Sequence, residues 1–216
     1  MKCKYVFGVA LALIVASCLV QGSQADLKSD FHEFLALVPR NRIGYIAARH
    51  FIMDEQFRVA LKYLRSSQFA QTWRRIRNTG EFLDLVGYLQ THNVSLPALQ
   101  DVTAAIDKLP NQLRAFRIPS KVPVTVMMQR NLVSFMREVM QSMPRARFSG
   151  LMARKVSEGG DFARLYGAVK QEEFKQLVAK AKTSPNLAPS WRELRRNNIE
   201  INDFIQLAYE ILSWGP

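Results

Sequence analysis

Residues 201–212 read Ile201-Asn202-Asp203-Phe204-Ile205-Gln206-Leu207-Ala208-Tyr209-Glu210-Ile211-Leu212. Ile201, Phe204, Ile205, Ala208, Ile211 and Leu212 recur at steps of three and four, which places them on one side of an α-helix for three turns. The same period runs through Phe82, Leu85, Val86 and Leu89, and through Phe69, Trp73 and Ile76. No segment sustains the apolar–polar alternation of a strand, and β-branched residues are not clustered. The expected fold class is all-α.

Moving outward, the stretch has a counterpart earlier in the chain. A shift of 105 residues carries Glu33 onto Glu138, Pro39 onto Pro144, Arg42 onto Arg147, Arg49 onto Arg154, Phe57 onto Phe162 and Asn93 onto Asn198, without a gap. Leu96, Leu99 and Ile106 fall on Ile201, Phe204 and Ile211. Identity is low, but the apolar pattern is kept, which predicts a duplicated repeat of five to six helices per half. Pro39 and Pro144 each separate two helices. Asn93 and Asn198 stand where a left-handed residue ends a helix. Ser184-Pro185 reads as an N-cap followed by proline, and Ser190 with Glu193 has the spacing of a capping box. Pro110, Pro119 and Pro123 mark an extended connector. The expected organisation is a signal peptide over 1–25, a first repeat over 26–109, a connector over 110–128 and a second repeat over 129–216, with both repeats in one domain.

The first 25 residues carry basic Lys2 and Lys4, an apolar run from Tyr5 to Val20, and small residues at Ser23 and Ala25. The run falls short of the roughly 20 residues needed to cross a bilayer, so it reads as a cleaved secretory signal. Cys3 and Cys18 both lie in it, so the exported chain would have no disulfide, thiol nucleophile or cysteine metal site. Apolar residues make up 48% of the chain and charged residues 22%, which excludes a disordered or collagen-like protein. The formal net charge is +12. Losing Lys2 and Lys4 leaves the mature chain basic.

Chemistry-bearing motifs are scarce. His32, His50 and His92 lack metal-ligand spacing and read as surface or helix-end residues. There is no G-x-S-x-G elbow and no glycine-rich phosphate loop. Acidic pairs such as Glu172-Glu173 read as solvated helix surface. The chain is therefore read as a protein with no catalytic residues, metal or cofactor. Arg74, Arg75 and Arg77 follow Trp73, and Arg192, Arg195 and Arg196 follow Trp191. Helical spacing turns both tryptophans inward and leaves the arginines on solvated faces. Export makes nucleic acid a poor partner, and an anionic membrane surface is the better match for the charge.

The order Asp30-Phe31, Phe34-Leu35, Val38-Pro39, Ile43, Ile46-Ala47, Asp54, Phe57, Leu64, Ser67 and Phe69, with a closing apolar helix after Asn93-Val94, resembles the insect allergen-related repeat family. That family includes group 1 cockroach allergens, midgut microvillar proteins and nitrile-specifiers. The resemblance implies a secreted all-helical protein, linked to digestion, whose paired repeats enclose an apolar cavity for fatty acids or phospholipids. Its alternatives are a brush-border structural or membrane-associated protein without a stored ligand, or a specifier-like detoxification protein. Phe34, Ile46, Phe57, Leu61, Phe82 and Val86, with Val139, Leu151, Phe162, Tyr166, Leu187 and Trp191 at the equivalent positions, are apolar in both halves and are the expected cavity lining. N-terminal sequencing of protein collected from culture medium should begin at Asp26; a secreted species retaining Lys2 to Val20 would reject the signal-peptide reading.

Overall fold

The computed structural model describes residues 26–114 and 131–216. The signal segment and most of the connector lie outside the described residues. Among those described there are twelve α-helices and no strand. The first series is α1 (Asp26–Ala36), α2 (Arg40–Met53), α3 (Glu55–Leu64), α4 (Ser67–Arg77), α5 (Gly80–Thr91) and α6 (Leu96–Arg114). The second is α7 (Leu132–Ser142), α8 (Arg145–Glu158), α9 (Asp161–Lys170), α10 (Glu172–Thr183), α11 (Ala188–Arg196) and α12 (Ile201–Leu212). The all-α expectation holds.

Short polar side chains start several of these helices. Asp54 accepts from the Phe57 amide at 3.0 Å, Ser66 from Phe69 at 3.2 Å, and Asn131 from Ser134 at 3.0 Å. Pro39 and Pro144 precede α2 and α8 with nearly the same backbone angles, φ −77° and ψ 78° against φ −75° and ψ 80°. Asn93 and Asn198 take φ 59° and 58°. After each, the next amide reaches back five residues, Val94 to the Leu89 carbonyl and Ile199 to the Leu194 carbonyl, both at 3.0 Å. This is the pattern by which a left-handed residue closes a helix.

Three sequence expectations are corrected. The connector does not begin at Pro110: α6 runs through that proline to Arg114. Leu109 and Leu113 on either side are fully buried. Their burial outweighs the one helical hydrogen bond that proline removes. Ser184 does not start a helix. It follows α10 and its hydroxyl accepts from the Asn186 amide at 3.1 Å, so it closes a turn. Ser190 lies inside α11 and is buried, so it caps nothing.

The two series exchange their first helices. α1 packs on α8 and α9 of the second series, and α7 packs on α2 and α3 of the first. Likewise α5 lies on α10, and α4 on α11. Charges follow the same exchange. Arg49 pairs with Glu138, and its equivalent Arg154 pairs with Glu33. Next to Arg49, His50 lies 3.0 Å from Glu138 and 3.4 Å from Asp54. Next to Arg154, Lys155 lies 2.6 Å from both Glu33 and Asp30 and 3.2 Å from Glu158. His50, Asp54, Asp30 and Lys155 are all buried.

Hydrogen bonds from Lys155 and Arg154 hold the Glu33 carboxyl below the ordinary range. Burial alone would raise Glu138, but hydrogen bonds from His50 and Arg49 outweigh it and lower its pKa. Asp30 and Glu33 raise Lys155. A carboxylate depressed in the folded state contributes stability above its unfolded pKa, about 4.3 for glutamate, and loses it as pH falls through the folded value. Melting temperature should therefore drop as pH is lowered below about 4.3. In the double variant Glu33→Gln/Glu138→Gln the melting temperature at neutral pH should be lower and the acid slope shallower. An unchanged slope would show that these carboxylates do not govern acid stability.

Candidate ligand pocket

Four helices leave a space between them that their side chains do not fill. α1 supplies Phe31 and Phe34, α8 Phe148 and Met152, α9 Phe162, Leu165, Tyr166 and Val169, and α12 Ala208, Ile211 and Leu212. The pocket has a volume of about 290 Å³, and its wall is almost wholly apolar. Aromatic rings frame it: Phe34 and Phe162 have centroids 5.1 Å apart, Phe34 and Phe148 5.9 Å, and Phe162 and Tyr166 5.9 Å.

At the equivalent positions of the first series Ile43, Ala47, Phe57, Ala60, Leu61 and Leu64, with Met136 and Val139 of α7, are all buried. There Phe57, the counterpart of Phe162, meets Phe135 at 4.9 Å, and His50 meets Phe135 at 5.5 Å. Phe135 is fully buried. The residue 105 positions before Phe135 is Asp30, which pairs with Lys155 and is not part of the pocket wall.

The structure distributes the twelve expected lining residues unevenly. Phe34, Phe162 and Tyr166 line the pocket. Ile46, Phe57, Leu61, Val139, Leu151 and Leu187 are buried in the packed core. Phe82 and Trp191 pack against that core half-buried, and Val86 is half-buried on α5. The remaining wall residues, above all those of α12, sit on the apolar stripe that identifies the helix. Periodicity finds such a stripe but cannot tell which part of it meets a void.

Residues 214–216 pack against the pocket wall as a rim outside its lining. Trp214 is buried, edge-on to Phe148 at 6.0 Å and with the Arg145 guanidinium 5.7 Å from its ring. The Tyr166 hydroxyl lies 3.0 Å from the Leu212 carbonyl oxygen and 2.8 Å from that of Pro216. Lys170 donates to the Tyr166 hydroxyl at 3.2 Å and also to Pro216. That hydroxyl, the only polar side-chain group among the wall residues apart from the Met152 sulfur, is therefore engaged by Leu212, Pro216 and Lys170.

Other features absorb less. His32 and His92 are exposed, as expected; His50 sits in the last turn of α2 but is buried between two carboxylates. Its i, i+4 spacing to Asp54 was visible in sequence, whereas Glu138 was not. No group of three or more His, Cys, Asp or Glu side chains that could hold a metal occurs among the described residues. No helix among them is long and apolar enough to cross a membrane. The arginine clusters after Trp73 and Trp191 are on α4 and α11, which are neighbours. Trp73 is buried and Trp191 half-buried, as their helical spacing requires.

The family model for the insect allergen related repeat, nitrile-specifier detoxification, matches residues 26–205. The chain belongs to this family. Protein G12 of Anopheles gambiae is 22% identical over 218 residues, covering 95% of this chain and 99% of that protein. In this member of the insect allergen-related repeat family, the rim depends on a glycine. A Cβ at Gly215 would lie 2.4 Å from the Tyr166 hydroxyl oxygen and 3.2 Å from the Met152 sulfur, and both residues belong to the pocket wall. Gly215→Ala should displace the tail, cost about 1–3 kcal/mol in chemical denaturation and red-shift tryptophan emission as Trp214 becomes wetter. Wild-type stability and emission in that variant would show that the tail does not seal this rim.

Proposed function

We propose that the protein is a secreted carrier of the insect digestive tract that holds an acyl chain, or an apolar molecule of similar size, between α1, α8, α9 and α12. The observation that carries this reading is the apolar pocket of about 290 Å³ with no charged side chain in its wall. That volume stands at the lower edge of the roughly 300–1,000 Å³ usual for ligand sites. It favours a single fatty-acyl chain over a two-chain phospholipid. A segment of about ten methylenes would gain roughly 8 kcal/mol gross on burial. Ordering the chain and losing its freedom of motion offset part of that gain, leaving micromolar affinity within reach. Filling the space also restores dispersion contacts that its lining lacks when empty. Family membership supports the same reading.

The family description names nitrile-specifier detoxification, which supports a second reading in which the pocket receives a plant metabolite. The two separate in one set of measurements. Organic extraction of the purified protein followed by mass spectrometry should release fatty acid from the expression host. Palmitate or oleate added to delipidated protein should raise its melting temperature by mass action. Leu165→Trp should fill the pocket and abolish displacement of a fluorescent apolar probe while leaving the helical spectrum intact. If no lipid is released, fatty acids leave stability unchanged, and nitriles form when the protein is added to a glucosinolate breakdown assay, the detoxification reading replaces the carrier.

A further inference from the structure

The outer face of α2 departs from what its partner helix does. Tyr45 is 69% exposed and Ile52 48%. With Arg49 between them they occupy positions i, i+4 and i+7 of one helix face. α8 provides an internal reference, because it has the same length and is entered through the same proline geometry. At the equivalent positions α8 carries Gly150, Arg154 and Ser157. The fold therefore keeps the arginine but does not require the exposed tyrosine or isoleucine.

The charge around this pair is mostly positive, with Glu55, three residues beyond Ile52, the nearest exposed acid along the chain. α2 contains no acidic residue. Arg42 is exposed near its start, and at its end Arg58 of α3 donates to the carbonyls of Phe51 at 3.0 Å and Ile52 at 3.1 Å. Beside Arg49, an open depression of about 390 Å³ lies between α2 and α7, lined by Arg49, Ser134, Arg137, Glu138 and Gln141. Its one carboxylate is already bound by Arg49 and His50, while Arg137 is exposed. Unlike the apolar pocket, this wall offers guanidinium, hydroxyl and amide groups, the set that recognises phosphate esters.

We infer that this face docks on an anionic lipid bilayer, with Tyr45 and Ile52 entering the headgroup layer while Arg42, Arg58 and Arg137 meet lipid phosphates. Tyrosine is suited to that layer because its ring is apolar and its hydroxyl stays wet. Two isolated apolar side chains are far too little for a stable protein interface, which buries roughly 1,200–2,000 Å². They suffice to anchor a surface already attracted by charge, at about 1 kcal/mol per arginine near an anionic membrane. The basic cluster of α11 supplies charge with no exposed large apolar side chain on its own helix.

Sedimentation of the full chain with phosphatidylcholine vesicles, with and without phosphatidylserine, tests this at physiological salt. Binding should require phosphatidylserine and weaken as salt rises. Tyr45→Ser/Ile52→Ser and Arg42→Gln/Arg137→Gln should each weaken it by about tenfold or more, and Arg192→Gln/Arg196→Gln on α11 by less. Tyr45→Trp should show a blue shift in emission when phosphatidylserine vesicles are added. The inference is overturned if phosphatidylserine vesicles do not bind. It is equally overturned if the serine variant binds like wild type while the α11 variant does not, or if the tryptophan reporter stays wet. A dimer in ultracentrifugation that the serine variant dissolves would assign the face to a second copy of the chain instead.

Discussion

Two glutamates, each held by basic residues of the opposite helical series, are the constraint on which the rest depends. Glu33 is gripped by Arg154 and Lys155, and Glu138 by Arg49 and His50. Neither α1 nor α7 can leave its partner series without uncovering a buried polar group, which is costly in a low-dielectric interior. The apolar contacts add cohesion without direction. The ion pairs fix which helix lies where, and so fix the walls of the pocket. Phe31 and Phe34 reach that pocket only because α1 is delivered to α8 and α9.

The helices were legible because their apolar residues repeat at 3.6 and because prolines and asparagines punctuate them at matching places in both halves. Pro39 with Pro144, and Asn93 with Asn198, act locally, so a local reading finds them. The exchange of first helices was not legible. Glu33 and Arg154 stand far apart in the chain, and nothing in either neighbourhood announces the other. Lys155 shows this well: in sequence it is one more cation of a basic protein, yet it is buried because three carboxylates converge on it. Pro110 misled in the opposite direction, since a strong local signal was overridden by the burial of Leu109 and Leu113.

The pocket was legible only in small part for the same reason. Phe34, Phe162 and Tyr166 were found as residues apolar in both halves. That criterion selects what the halves share, and most of what it selects is packed core. On α2, the exposed Tyr45 and Ile52 stand out only beside Gly150 and Ser157.

The exchanged helices also bear on how the chain is made. A ribosome adds about 5–20 residues per second. α1 emerges first, but α8 and α9, which bury its aromatic side chains and bind its carboxylates, follow more than a hundred residues later. During that interval of several seconds Phe31 and Phe34 lack their partners, and the first series cannot complete its core alone. The nascent first half is therefore a sticky intermediate whose safety depends on how quickly the second half arrives. Slow translation between the two series would lengthen that exposure, and a chaperone that covers α1 early would shorten it.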